Sequence, residues 1–331
     1  MRTKSWPRPL RSGAAIALAV VATIAVAPTA NAHDGDRHGT TIELDVDPGS
    51  GSKFEGIGLD ERRGTFYVSE ITRGEILRGN IHRDEAKPWL GGNGTDGRFT
   101  ARGITVDHDG RVYIAGGPNG TNPIHPGMPD LWVYSPSGKL LAALDTGVEN
   151  AFLNDVTIGP DGAAYFTNSN KPQIFRVAKS RSGWQVSTFV DASNTIDQQE
   201  GFNLGGIVAT RDGRALIVAQ GNVGALWRID LRTKAVTSIS LDPGTDLVNA
   251  DGLVLKGDTL LVIRNFSHFI TNLKLSDRWT EATLIEETAT AADRVFTTGK
   301  LAGNRLYVVD SKFDETPSQP PYQVVVLKGL I

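Results

Sequence analysis

Short apolar runs, separated by turns rich in glycine, aspartate and asparagine, recur along most of the chain. The run Leu253–Leu255 is followed by the pair Gly257-Asp258 and then by a second apolar run, Leu260–Ile263. A Gly-Asp pair between two such segments is a strong β-hairpin signal. Helical periodicity is nearly absent. The pattern therefore predicts an all-β protein built from hairpins.

The hairpin pattern repeats six times, with a period of roughly 42 to 52 residues. Each repeat opens on a polar residue or a glycine and continues through two apolar runs to a third. The six opening positions are Glu55, Arg102, Asn154, Gly205, Asp251 and Asp293. This period is typical of propeller blades with four strands. The sequence therefore predicts a six-bladed β-propeller with four-stranded blades.

A propeller needs a contact that closes its ring. The segment Thr41–Asp45 alternates apolar and polar residues, and an apolar run, Val324–Leu327, lies near the C-terminus. We expect the first segment to form the outer strand of the last blade, beside the second. N- and C-terminal strands together then close the ring, and residues 41–331 form one domain.

The N-terminal 32 residues have the pattern of a secretory signal peptide. An apolar stretch, residues 14–26, follows four basic residues and leads to a small-residue cleavage site ending at Ala32. A membrane anchor is the alternative, but the apolar stretch is too short and ends in small residues. We therefore expect a secreted protein, with residues 1–32 removed, a flexible tail over 33–40, and no membrane attachment after cleavage.

Charge and cysteine content exclude several classes of function. Cleavage would remove four cations and take the formal charge from −3 to about −7. An acidic exported protein is poorly suited to bind nucleic acid or anionic membranes. The chain has no cysteine, which excludes disulfides, thiolate nucleophiles and cysteine-bound metals. We expect a monomer whose partner is a small molecule.

The opening positions of the six repeats carry candidate chemistry. The innermost strand of each blade lines the central channel, so the six positions would meet at one mouth of that channel. Glu55, Asn154 and Asp251 offer only oxygen donors, which suits Ca²⁺ before Mg²⁺. Two alternatives remain: ordinary turn residues at strand starts, or an electrostatic tie between blades, with Arg102 against Asp293 and Glu55.

The strand openings, together with the Asp-Gly hairpins, resemble the SMP-30/gluconolactonase/LRE-like propellers over about residues 50 to 315. The characterised members are lactonases or related hydrolases. In that family a divalent cation, usually Ca²⁺, is held at the channel mouth by a Glu opening the first blade, an Asn opening the fourth and an Asp opening the fifth. An Asn opening the third blade contacts substrate or metal.

The resemblance transfers to three positions of this chain and fails at two. It implies that Glu55 and Asp251 bind the metal and that Asn154 binds the metal, the substrate or both. The fourth-blade Asn is replaced by Gly205, with Asn203 two residues earlier. Arg102 stands where the paraoxonase branch has a His, so a paraoxonase-type His pair is not supported.

Polar residues in the loops add further candidates. Arg264 and His268 follow a second strand, where a cation would orient a lactone or a carboxylate, and Arg102 is a third candidate for substrate binding. The Gly/Pro-rich insertion 116–130 is predicted either to cover a mouth as a lid, with His125 inward, or to be a surface loop.

These observations favour a cation-dependent hydrolase of lactones or esters. A cation at the mouth would polarise a carbonyl and activate water, and Asp251 or Glu55 would accept the proton. The alternative is a non-catalytic propeller that binds a small ligand or a protein partner through its polar rim. Gly205 favours this alternative because it removes one ligand.

Overall fold

The computed structural model describes residues 40–118, 120–121 and 123–331. The predicted signal peptide and most of the predicted tail lie outside these residues. Within the described part, one short 3₁₀ helix (Pro48–Ser50) accompanies 25 strands. No helix in this part is long and apolar enough to cross a membrane.

The strands are, in chain order, β1 (Thr40–Leu44), β2 (Phe54–Asp60), β3 (Thr65–Glu70), β4 (Ile76–Asn80), β5 (Glu85–Leu90), β6 (Ile104–Val106), β7 (Val112–Ala115), β8 (Leu131–Tyr134), β9 (Leu140–Leu144), β10 (Leu153–Ile158), β11 (Ala164–Asn168), β12 (Gln173–Ser180), β13 (Gly183–Asp191), β14 (Leu204–Ala209), β15 (Ala215–Gln220), β16 (Ala225–Asp230), β17 (Val236–Ser238), β18 (Ser240–Leu241), β19 (Ala250–Lys256), β20 (Thr259–Arg264), β21 (Phe269–Leu275), β22 (Glu281–Ala289), β23 (Phe296–Ala302), β24 (Arg305–Asp310) and β25 (Gln323–Lys328).

Six antiparallel four-stranded units, which we call blades 1 to 6, account for all strands except β18. Blades 1 to 4 are β2–β5, β6–β9, β10–β13 and β14–β17, blade 5 is β19–β22, and blade 6 is β23–β25 completed by β1. The short strand β18 extends blade 5 by pairing with β22 in parallel. The fold is thus the expected all-β propeller.

The first strands of the blades form a closed ring. Each of β2, β6, β10, β14, β19 and β23 contacts the first strand of the next blade, and β23 contacts β2. Six hydrophobic clusters fill the spaces between neighbouring blades. Because each blade buries both faces against its neighbours, the core is distributed around the ring and leaves a narrow polar centre.

The predicted closure of the ring is confirmed. Strand β1 pairs antiparallel with β25, and Thr41 and Ile42 lie opposite Val325 and Val324. The same strand also pairs in parallel with β5 of blade 1. It therefore joins the last blade to the first, and the two blades form one continuous eight-stranded sheet.

Candidate functional site

The candidate site lies where the first strands begin, at one end of the channel. Five of the six first strands carry a register shift at this point. In β2, for example, Phe54 and Ile57 are paired with β3 while Glu55 and Gly56 fall between them. Similar shifts occur at the starts of β10, β14, β19 and β23. Such bulges redirect side chains at the end of a strand, and here they present two consecutive residues from a blade to the channel.

The bulges bring the three predicted metal ligands together. Glu55, Asn154 and Asp251 line one cavity at the channel mouth, although they are nearly 200 residues apart in sequence. The cavity has a volume of about 10 Å³, close to the minimum for one water molecule. Its other walls are Gly56, Gly103, Asp155, Gly252, Thr297 and Thr298.

Hydrogen bonds between neighbouring blades hold the first strands in register. Thr297 donates its Oγ1 to the Glu55 carbonyl at 2.7 Å, and Thr167 donates its Oγ1 to the Gly205 carbonyl at 2.7 Å. The backbone N–H of Gly103 donates to the Asn154 carbonyl at 2.7 Å. Because each bond joins two blades, the positions of the cavity residues are fixed by the ring itself.

Burial raises the pKa of both acidic ligands, and neighbouring carboxylates add to the shift. Burial, followed by repulsion from Asp251, raises the pKa of Glu55 to about 8, against an opposing attraction to Arg102. Burial also raises the pKa of Asp251 to about 7, although a hydrogen bond from Asn265 Nδ2 to its Oδ2 at 2.9 Å works against the shift. Two buried carboxylates that repel each other favour either a proton or a cation between them.

The donor set of the cavity fits a hard cation. Its oxygens come from the carboxylates of Glu55 and Asp251, the amide of Asn154 and the hydroxyl of Thr298. Thr298 Oγ1 is buried and has no hydrogen-bond partner. Oxygen donors without nitrogen or sulfur suit Ca²⁺ or Mg²⁺. No group of three or more acidic or histidine side chains in the described residues is arranged to hold a metal, so the amide and hydroxyl would complete the ligand set.

Sequence reasoning missed Asp155, Thr297 and Thr298. Asp155 is fixed because its Oδ1 accepts from the backbone N–H of Val156 at 2.8 Å and its Oδ2 from that of Ile207 at 3.2 Å. It adds negative charge that raises the pKa of its acidic neighbours. A strict alignment of the repeats would have shown it: where Asp155 stands, four other blades have a glycine, namely Gly56, Gly103, Gly206 and Gly252.

The position expected for Asp293 was wrong. Strand β23 begins at Phe296, and Asp293 is exposed in the preceding turn. Thr297 occupies the position equivalent to Glu55, because it is the first residue of the bulge between Phe296 and Gly299. The proposed tie between Arg102 and Asp293 therefore lacks its acidic partner at the mouth, whereas the attraction between Arg102 and Glu55 remains.

Arg102 is buried beside the cavity rather than exposed in it. Its Nη1 donates to the Gly116 carbonyl at 2.5 Å, and its Cζ lies 3.6 Å from the centroid of the Phe152 ring. Burial lowers the pKa of Arg102 to about 10, although Glu55 and then Asp130 oppose the shift. The side chain therefore supports the mouth from behind Glu55.

The structure does not bring Arg264 or His268 into the cavity. The buried guanidinium of Arg264 bonds Asp246 Oδ2 at 2.6 Å and Glu287 Oε1 at 2.8 Å. His268 lies in the loop after β20, where its Nδ1 is 3.0 Å from the Arg294 carbonyl. Neither residue lines the cavity.

The insertion 116–130 lies at the same end of the propeller, because β7 ends at this mouth. Its His125 stacks on Phe99, with ring centroids 3.5 Å apart. Within the described part of the insertion, the ring of His125 thus faces an aromatic partner rather than the acidic cavity.

The architecture and the mouth define a β-propeller whose channel opens on a carboxylate-lined pocket. No family model matches the chain, and no curated protein matches it in sequence. Solved structures share the fold. The major allergen Mala s 1 of Malassezia sympodialis has a TM-score of 0.66 and 18% identity, and the match covers 87% of this chain and 96% of that one. A calcium-binding protein, regucalcin, from Agrobacterium tumefaciens has a TM-score of 0.60 and 16% identity, with 88% and 95% covered, and a gluconolactonase from Xanthomonas campestris has a TM-score of 0.59 and 14% identity, with 88% and 98% covered.

The resemblance to SMP-30/gluconolactonase/LRE-like propellers is thereby confirmed at the level of the fold. This chain has the propeller architecture of a regucalcin and a gluconolactonase over nearly their whole length.

Proposed function

We propose that this protein is a divalent-cation-dependent hydrolase that acts on a lactone or an ester. The observation that carries the proposal is the convergence of Glu55, Asn154 and Asp251 on one small cavity at the channel mouth. Two proteins of similar fold, described as a calcium-binding protein and a gluconolactonase, also support the proposal. Ca²⁺ is the preferred ion, with Mg²⁺ second, because the donors are all oxygens.

Each residue of the cavity has a distinct part in this proposal. Glu55, Asn154 and Asp251 would hold the cation, with the hydroxyl of Thr298 facing the same space. When bound, a divalent cation polarises a carbonyl and lowers the pKa of a coordinated water. Asn265 holds one oxygen of Asp251, which leaves the other oxygen to contact the cation or to accept a proton.

In this proposal, Asp251 or Glu55 accepts the proton from the attacking water. A general base works best when its pKa is near the working pH. Burial brings the pKa values of Asp251 and Glu55 to about 7 and about 8. A bound cation would lower both values, so the carboxylate that keeps a free oxygen accepts the proton from water. Arg102, beside Glu55, partly compensates the negative charge that forms at the mouth.

The test is a panel of lactones and esters assayed with the mature protein, with Ca²⁺ and with a chelator. We expect turnover that requires the cation, and a loss of about 100-fold or more in kcat/KM for Asp251→Asn, because the substitution removes a charged ligand and a base. Glu281→Gln, an exposed change on β22, is the control. Absence of turnover on the whole panel, together with no change of Tm on adding Ca²⁺, would contradict the proposal.

A non-catalytic propeller that binds a ligand through its rim is the second candidate. Gly205 favours it, since a residue without a side chain stands between Asn154 and Asp251 and shortens the set of ligands. Asp251→Ala separates the two candidates, because catalysis should be lost while rim binding should survive in weakened form. Secretion and a monomeric state remain predictions, to be checked by N-terminal sequencing of the exported protein and by light scattering.

A further inference from the structure

Exposed apolar side chains are concentrated around the mouth of the channel. Phe202, Val223, Val248 and Phe266, which we call the apolar arc, have exposed fractions of 62%, 46%, 39% and 51%. They lie in the loops of blades 4 and 5 that lead into first strands or follow second strands. Exposed apolar side chains that share one end of a fold are candidates for a binding site.

Strand pairing places these loops at the same end as the cavity. Leu204 at the start of β14 lies opposite Gln220 at the end of β15, and Ala250 lies opposite Arg264 in the same way. The loops before β14 and β19 are therefore beside the loops after β15 and β20. All four residues of the apolar arc project from this set of loops.

A stack of side chains leads from the cavity to the arc. Arg102, behind Glu55, packs its guanidinium on the Phe152 ring. The Phe152 ring in turn lies 4.9 Å from the ring of Phe202, measured between centroids. Phe152 is buried, so it supports Phe202 from below and leaves the outer face of the Phe202 ring open to solvent.

The other end of the arc is tied to the acidic ligand Asp251. Phe266 follows Asn265, whose side chain donates to Asp251 and also accepts from the backbone N–H of Phe266 at 2.6 Å. The Val248 carbonyl accepts from Ser267 Oγ at 3.1 Å. These bonds fix the arc relative to the cavity, and such preorganisation lowers the entropic cost of binding.

Gly205 opens the space between the arc and the cavity. A Cβ at this position would lie 3.4 Å from the Asp251 carbonyl and 3.8 Å from Asn154 Oδ1, which are ordinary contact distances. An alanine would therefore fit, and its Cβ would stand between Asn154 and Asp251. Glycine leaves this side of the mouth open, on the blade that carries Phe202.

We propose that the apolar arc binds the hydrocarbon part of the substrate, so that the substrate is a lactone or ester bearing an apolar chain rather than a polyhydroxylated sugar lactone. This inference rests on the proposed hydrolase function. The amide nitrogens of two polar side chains in these loops are already engaged: Gln198 donates to the Asn170 carbonyl at 2.7 Å, and Asn222 to the Glu200 carbonyl at 3.0 Å, while Asn222 Oδ1 is buried without a partner. The arc thus offers apolar contact, whereas a sugar requires several polar partners.

The experiment compares lactones that share one ring and differ in alkyl chain: γ-butyrolactone, γ-hexalactone and γ-decalactone, with glucono-1,5-lactone as the polyhydroxylated counterpart. Fully burying a methylene is worth about fourfold in affinity. With partial burial, we expect kcat/KM to rise at least tenfold from γ-hexalactone to γ-decalactone. Phe202→Ala and Phe266→Ala should lower kcat/KM for γ-decalactone about tenfold and leave γ-butyrolactone within twofold.

Ile285→Ala is the matched control, because Ile285 is 52% exposed but lies on the outer strand β22. It should change no value by more than twofold. Turnover that is independent of chain length, or an equal loss for short and long lactones in Phe202→Ala, would overturn the inference while leaving the hydrolase in place.

A binding measurement separates failure of the arc from failure of the hydrolase. Calorimetry with cyclopentanone and 2-heptylcyclopentanone, which cannot be hydrolysed, reports on the arc alone. Tighter binding of the alkylated ketone, weakened about tenfold in Phe202→Ala but not in Ile285→Ala, supports the arc even if no lactone is turned over. Equal affinity for both ketones, or no effect of Phe202→Ala, overturns it.

Discussion

At the scale of single residues, the channel mouth holds carboxylates whose burial destabilises the fold. Glu55 is buried and Asp251 is partly buried, and they repel each other. Arg102 and Asn265 compensate them only in part. Buried carboxylates of this kind destabilise a fold unless a proton or a cation neutralises them. We therefore interpret Glu55 and Asp251 as ligands of a binding site, since they do not stabilise the fold.

This arrangement predicts a characteristic pH dependence in the absence of divalent cations. The folded-state pKa values, about 8 for Glu55 and about 7 for Asp251, exceed the ordinary values of 4.5 and 3.8. Between the ordinary and the raised values the folded state binds more protons than the unfolded state. The stability contributed by these protons is therefore present below the ordinary values and is lost as pH rises through about 7 to 8.

With a chelator present, Tm should fall by about 5 °C, or ~2 kcal/mol, between pH 5.5 and 8.5. The double substitution Glu55→Gln with Asp251→Asn should remove most of this slope, and Ca²⁺ should raise Tm most at the alkaline end. Differential scanning calorimetry measures all three. An unchanged slope in the double variant would show that other groups cause the pH dependence.

At the scale of structural elements, the bulge at the start of five of the six first strands determines which residues meet. The position after the strand opening, Gly56 in blade 1, lies so close to the neighbouring blade that four blades use glycine there. In Gly206 a Cβ would lie 2.7 Å from the Leu253 backbone nitrogen, and in Gly252 it would lie 2.6 Å from Thr298 Cα. These distances are shorter than normal van der Waals contact, so a side chain would force the two blades apart.

Neighbouring glycines in β14 provide a matched test of this account. Gly206→Ala should lower the free energy of unfolding by about 2 to 4 kcal/mol, because the added Cβ meets backbone atoms that cannot move aside. Gly205→Ala should change it by less than about 1 kcal/mol, since its Cβ reaches only ordinary contact distances. Urea unfolding measures both. Equal effects of the two substitutions would refute the proposed role of the bulge.

The bulges also explain how far the sequence could predict the site. The repeat predicted that Glu55, Asn154 and Asp251 meet, and they line one cavity, because their strand starts are followed by clear apolar runs. Blade 6 lacks such a signal: its sequence favours Asp293, whereas the equivalent position in the structure is Thr297, four residues later. Arg264 and His268 looked available because a sequence does not show which partners engage a polar side chain. Their contacts with Asp246, Glu287 and the Arg294 carbonyl are tertiary.

At the scale of the whole molecule, the ring is closed by the N-terminal strand β1, which pairs with the C-terminal strand β25 and with β5 of blade 1. Strand β1 contributes Ile42 and Leu44 to the cluster that also contains Phe54 of blade 1 and Val324 of blade 6. One short N-terminal strand thus secures two blades at once. The alternation of its residues and the apolar C-terminal run predicted this closure, whereas its parallel pairing with β5 had no signal in the sequence.

Ile42→Ala should therefore lower the stability of the fold strongly, although Ile42 lies in a strand of only five residues near the N-terminus. Ile42 is buried between the first and last blades, so its loss should lower the free energy of unfolding by about 2 to 4 kcal/mol. Thr40→Ala, at an exposed position of the same strand, should cost less than about 0.5 kcal/mol. Urea unfolding with unchanged m-value would measure the difference, and equal costs would show that β1 does not secure the ring.

The central claim is that the ring gathers oxygen donors from distant blades into one cation site. The most direct test is calorimetric titration of the mature, chelator-treated protein with Ca²⁺ at pH 8, beside Asp251→Asn and the exposed control Glu281→Gln. We predict one Ca²⁺ per chain in the wild type and the control, and loss of binding, by at least about 100-fold, in Asp251→Asn. No binding by the wild type, or binding that Asp251→Asn leaves unchanged, would contradict the account.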